Sequence, residues 1–131
     1  MPTSIITYGD HAPHYTEPIE QGEDYVIELE IYNDEAMQDP MDLTGFVFYG
    51  QVRKEAKESS ELIGSFTYVI SGDDMNIVRL KLANEHTCDK LDNVKSVKFD
   101  IMMKDTLNEV HPVLKGNPAV IAAVTRWWEI A

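Results

Sequence analysis

The chain has 131 residues, 44% hydrophobic and 26% charged, with 23 Asp and Glu against 11 Lys and Arg for a formal net charge of -12. That length suits one domain with a single core, and the composition argues against disorder throughout. An anionic surface repels phosphate backbones, so nucleic-acid binding, which needs clustered cations, is disfavoured as the main role.

Residues 1–22 read as an extended N-terminal arm. Ile5, Ile6 and Tyr8 suit a short strand, after which Gly9, Pro13 and Pro18 interrupt regular pairing. Such an arm lies over its own domain or over a neighbour, and the sequence leaves both open. From Glu23 to Asn33, Tyr25, Ile27, Leu29 and Ile31 alternate with Val26, Glu28, Glu30 and Tyr32. A two-residue period puts the first set on one face, as in a half-buried antiparallel strand. Residues 33–40 form an acidic loop.

Asp42-Leu43-Thr44-Gly45 supplies turn chemistry ahead of a central strand. There Phe46, Phe48, Gly50 and Val52 share one side, and Val47, Tyr49, Gln51 and Arg53 the other. Residues 54–61 are polar and suit an exposed connection. Alternation of Leu62, Gly64, Phe66, Tyr68 and Ile70 predicts one strand, and Ser71-Gly72-Asp73-Asp74 a turn. Val78, Leu80 and Leu82 point inward from the next strand.

Residues 83–91 break the period, with Asn84 as a helix cap and Thr87, Cys88 and Leu91 on one face of a short helical turn. Val97, Phe99, Ile101 and Met103 then alternate with Lys98, Asp100, Met102 and Lys104. Val110 to Lys115 pairs back on this strand, with Pro112 calling for an edge or a bulge. Ala119 to Thr125 is the last strand, and 126–131 a terminal tail. The expected fold is all-β: an antiparallel Ig-like β-sandwich of about seven to eight strands over 23–125, with one short helical turn.

Chemistry is sparse along the chain. His11 and His14 flank Pro13 and have no third or fourth ligand in a metal-site pattern. The acidic stretches Asp34-Glu35…Asp39 and Asp73-Asp74 lack the spacing of a calcium loop. No nucleophile motif or phosphate-binding glycine loop is present. The expectation is therefore a non-enzyme with no cofactor and no metal. Cys88 is the only cysteine, so no internal disulfide forms, in keeping with a reducing compartment. No apolar run approaches the roughly 20 residues that cross a bilayer, and Met1-Pro2-Thr3-Ser4 does not begin a signal peptide, so no membrane role is expected.

Several of these segments resemble a known family. Ile19-Glu20-Gln21-Gly22-Glu23-Asp24-Tyr25, then Asp42-Leu43-Thr44-Gly45-Phe46 followed by Gly50-Gln51-Val52-Arg53-Lys54, the short helical turn at 83–91, the hairpin of 97–104 with 110–114 and the closing strand 119–126, ending in Thr125-Arg126, follow one order. Over residues 19–126 the chain resembles the N-terminal β-sandwich of tailed-phage baseplate upper proteins and similar tail proteins. The resemblance implies a virion structural protein, made in the host cytoplasm and released by lysis. Its partners would be other virion proteins in a homo- or hetero-oligomeric assembly. The arm and the paired tryptophans are not part of that pattern. They supply the candidate partner-binding residues: Ile5, Ile6, Tyr8 and Tyr15 in the arm, and Trp127 and Trp128 in the tail, where large aromatics suit interfaces. The alternative function is a carbohydrate-binding module that uses Trp127 or Trp128 to stack host surface glycans.

Overall fold

The computed structural model describes residues 3–7, 12–55 and 60–130. Within them the fold is all-β, and no helix reaches seven residues. The strands are β1 (Thr3–Thr7), β2 (His14–Tyr15), β3 (Ile19–Glu20), β4 (Tyr25–Tyr32), β5 (Val47–Arg53), β6 (Leu62–Ser65), β7 (Thr67–Ser71), β8 (Ile77–Leu82), β9 (Lys98–Lys104), β10 (Val110–Gly116) and β11 (Val120–Ile121). One sheet runs β1-β4-β8-β7, a second β2-β10-β9-β5-β6, and β11 pairs with β3.

The two larger sheets share one core. Tyr25, Ile27, Leu29 and Ile31 of β4 and Val78, Leu80 and Leu82 of β8 are buried with Phe48 and Val52 of β5 and Phe99, Ile101 and Met103 of β9. Aromatic contacts cross between the sheets: Tyr25 meets Phe99 edge-on at 6.2 Å and Phe48 lies tilted against Tyr68 at 5.4 Å, centroid to centroid. The two-residue period expected from β4, β5, β8 and β9 is therefore the period observed.

Between β4 and β10 the pairings are antiparallel. The flanks depart from that expectation. β1 joins β4, β2 joins β10 and β11 joins β3, each in parallel. Thus the described part of segment 1–22 lies on its own domain, contributing a strand to each large sheet. Ile6 and Tyr15 sit in the core at 7% exposure each, and Ile19 is fully buried. Alternation reads poorly in strands of two residues, which is why the pairing escaped the sequence.

Three other expectations are corrected. The stretch 62–71 is two strands, not one. Phe66 breaks from β6 in one sheet to β7 in the other, its N–H donating to the Gly50 carbonyl at 2.8 Å. A register shift between β5 and β6 accompanies the crossing, so Ile63 rather than Leu62 turns inward. The helical insertion is two single 3-10 turns, Asn84–His86 and Asp89–Leu91. Asn84 is not its cap; the Asn84 N–H donates instead to Asp24 Oδ1 at 2.7 Å. The closing strand is only β11, because the next available donor, the Ala123 N–H, bonds to the side chain of Gln21. Pro112 does sit by a register shift of β10, which leaves Val113 and Leu114 both buried.

Three connections meet at one end of the sandwich. The Leu43 N–H donates to the Met75 carbonyl at 2.8 Å, tying loop 33–46 to the β7–β8 turn. A Cβ on Gly45 would stand 3.2 Å from Thr106, which places the β9–β10 turn beside them. Asp34, Glu35, Asp39, Asp42, Asp73, Asp74, Asp105 and Glu109 make this end acidic.

Candidate docking site at the C-terminal tail

Residues 122–130 follow β11 and contain the chain's two tryptophans. An isolated nine-residue segment gains too little to hold one conformation, so its order rests on side chains from elsewhere. Gln21 is the centre of that support. It is buried, and its amide is satisfied on both sides: Nε2 donates to the Cys88 carbonyl at 2.9 Å and to Asp92 Oδ1 at 2.8 Å, and Oε1 accepts from the Ala123 N–H at 3.1 Å. A buried amide left without those partners would carry its full desolvation cost.

Asp92 passes the connection to the tail. Arg126 donates to both of its carboxylate oxygens, Nη1 to Oδ1 at 2.8 Å and Nη2 to Oδ2 at 3.1 Å, in the two-pronged geometry that suits a guanidinium. Arg126 also reaches Glu129 at 2.6 Å. Both carboxyl groups are held below the usual carboxylate range, chiefly by the Arg126 hydrogen bonds, and the guanidinium is correspondingly raised.

The tail is turned rather than extended at the tryptophans. It makes a single 3-10 turn, Trp127–Glu129, so adjacent rings meet edge-on at 5.9 Å rather than facing apart. Each indole N–H is anchored to this chain: Trp127 Nε1 to the Gly22 carbonyl at 2.8 Å and Trp128 Nε1 to Asp89 Oδ1 at 2.7 Å. The Arg126 guanidinium lies 4.9 Å above the Trp128 ring, a distance at which the ring quadrupole attracts it. Gly22 is required beneath them. Its φ is +88°, and a Cβ there would stand 2.5 Å from the Trp128 ring.

The anchored tail turns apolar groups outward. Val124 is 100% exposed, Ile130 72%, Trp127 47% and Ile121 45%. Of the anticipated partner-binding residues, the structure brings Trp127 and Trp128 together and leaves Ile5 exposed on the outer side of β1. Ile6 and Tyr15 are spent on the core, since the chain's own β4, β9 and β10 surround them, and so offer no surface. Tyr8 lies outside the described residues. The sequence reading missed Gln21, Gly22, Asp89 and Asp92. Hydrogen-bond partners 34 to 105 positions apart leave no local pattern.

Two features bear on other chemistry. Burial, then the nearby Asp89 carboxylate, pushes the Cys88 thiol up, which disfavours the nucleophilic thiolate. Asp105, Glu109 and His111 bring potential metal-donor atoms within 4.8 Å of one another. His111 Nε2 lies 3.0 Å from Asp105 Oδ2, and Asp105 Oδ1 accepts from the N–H groups of Leu107 and Glu109. Those bonds build the β9–β10 turn and account for the grouping without a cation. Among the described residues no helix is long and apolar enough to cross a membrane. No protein-family model matches the chain, and a search of curated proteins finds no match.

Proposed function

We propose that the chain is a non-enzymatic bacteriophage virion protein, a tail, baseplate or adaptor component that bridges other virion proteins. The observation that carries the docking half is the fixed tail. Arg126, Gln21 and two indole N–H bonds hold residues 122–130 in place while Val124, Trp127 and Ile130 face solvent. Exposed apolar side chains on a pre-ordered segment suit an interface, since binding need not meet the cost of ordering them. The phage half is supported by the sequence resemblance over residues 19–126.

The test is incorporation into particles. Val124→Asp and Ile130→Asp place charge on the exposed ridge without touching the anchoring bonds. The double variant should keep the wild-type far-ultraviolet circular dichroism and enter particles at a fraction of the normal level. Normal incorporation would rule out the tail as the docking element.

A second reading, a carbohydrate-binding module, is favoured by one feature: Trp127 is about half exposed on an ordered turn. Under that reading the isolated protein binds host-surface glycans, and Trp127→Ala abolishes the binding.

A further inference from the structure

A groove of about 500 Å³ lies on the outer face of the five-stranded sheet, at the end opposite the acidic loops. Arg53, Lys98 and Lys115 line it, with the carboxylates Asp100 and Glu55 and the polar Gln51. Arg53 and Lys98 are directly opposed across β5 and β9. Like charges at facing positions destabilise a sheet, so the fold carries a local cost here. Asp100, the nearest carboxylate in register, faces Lys115. Among the described residues neither Lys98 nor Lys115 is in an ion pair. Arg53 donates to the Ser60 carbonyl and to Gln51, so the two lysines are the cations left over, and in a chain of net charge -12 a lining of three cations against two carboxylates is out of character. A bound carboxylate group would remove the repulsion.

The chain's own acidic end does not reach it. β5 runs from Val47 beside the acidic loops to Arg53 in the groove. At about 3.3 Å per residue that is roughly 20 Å, more than twice the Debye length of about 8 Å at physiological ionic strength. The same distance lets two copies meet end to end while their net charges stay largely screened. The loop after β4 is held in shape by its own bonds. Tyr32 bridges Pro40 at its base, and Asp34 accepts from the N–H groups of Gln38 and Asp39. That leaves Glu35 and Asp39 exposed on a pinned loop.

We infer that the groove binds the acidic 33–40 loop of a second copy of this chain, a head-to-tail contact. Made end to end between different surfaces of the two copies, it propagates into a ring or filament. The inference deepens the assembly reading and rests on it only in taking the chain to work in contact with protein; it does not use the tail.

The experiment is sedimentation velocity of the full chain over a concentration series, at several NaCl concentrations. Wild type should grow in mass with concentration, and less so as NaCl rises from about 0.1 M. Lys98→Glu with Lys115→Glu, and separately Glu35→Lys with Asp39→Lys, should each weaken self-association at least about tenfold. The two double variants carry net charges of -16 and -8, four units either side of -12. A global charge effect would therefore move them in opposite directions. Mixed one to one, the intact loop of the first meets the intact groove of the second, and the two reversed surfaces are again complementary, so growth in mass with concentration should return. Wild type that stays monomeric throughout, or variants that associate like wild type, would overturn the inference. The Val124→Asp, Ile130→Asp protein should self-associate normally, so a failed tail and a failed groove give different results.

Discussion

Replacing Gly22 with alanine tests how the tail is held. The residue sits at φ +88°, where an L side chain is strained by roughly 1–2 kcal/mol. A Cβ would also stand 2.5 Å from the Trp128 ring and 2.9 Å from Trp127 Nε1, closer than any van der Waals contact. The least costly relief is for the tail to leave. That forfeits the 2.8 Å bond from Trp127 to the Gly22 carbonyl, worth about 1 kcal/mol. The expected loss is about 2–3 kcal/mol in total, placed on the tail rather than on the core. Both tryptophans of the chain lie in the tail, so intrinsic tryptophan fluorescence reports on it alone, while far-ultraviolet circular dichroism reports on the sheets. Gly22→Ala should red-shift the emission under native conditions with the sheet signal unchanged. Unshifted emission together with an unchanged denaturation midpoint would refute the packing of both indoles on Gly22.

Acid should release the same segment. Asp92 and Glu129 have folded pKa values held below normal, so their contribution is present above the ordinary carboxylate value of about 4 and is lost as pH falls through the lower folded values. Tryptophan emission should therefore move only below about pH 4, and Arg126→Ala should show the moved emission already at pH 7; a flat acid titration argues against the Arg126 network. Removing residues 1–18 should destabilise the domain, because Ile6 and Tyr15 leave the core; an unchanged urea midpoint would place that segment outside it. Phe48→Ala or Phe99→Ala should each cost about 3–5 kcal/mol, since both rings are buried between the sheets; urea titration giving less than about 1 kcal/mol for both would contradict the strand register.

What the sequence made legible was the part governed by alternation. β4, β5, β8 and β9 place their apolar residues on the faces that the two-residue period assigns. It failed where another rule took over. At Phe66 the chain changes sheets, and the continuous alternation from Leu62 to Ile70 hides the shift that turns Ile63 inward. In the arm, proline-punctuated strands of two residues carry no period, yet β2 and β3 place Tyr15 and Ile19 in the core. At the tail, composition identified the tryptophans but not their footing. Their order depends on Gln21, Asp89 and Asp92, whose partners are fixed by tertiary contacts rather than neighbours in sequence.

The central claim is that the fixed tail meets another virion protein. Its most direct test is a photo-crosslinking amino acid at position 124, whose side chain is fully exposed and makes none of the anchoring bonds. The probe is activated in purified particles from lysed producing cells, and the crosslinked species is identified by mass spectrometry. The account predicts a crosslink from position 124 to a different virion polypeptide, and none when the same probe replaces exposed Val69 on β7. A chain absent from the particles, or one present with no crosslink from position 124, would contradict it.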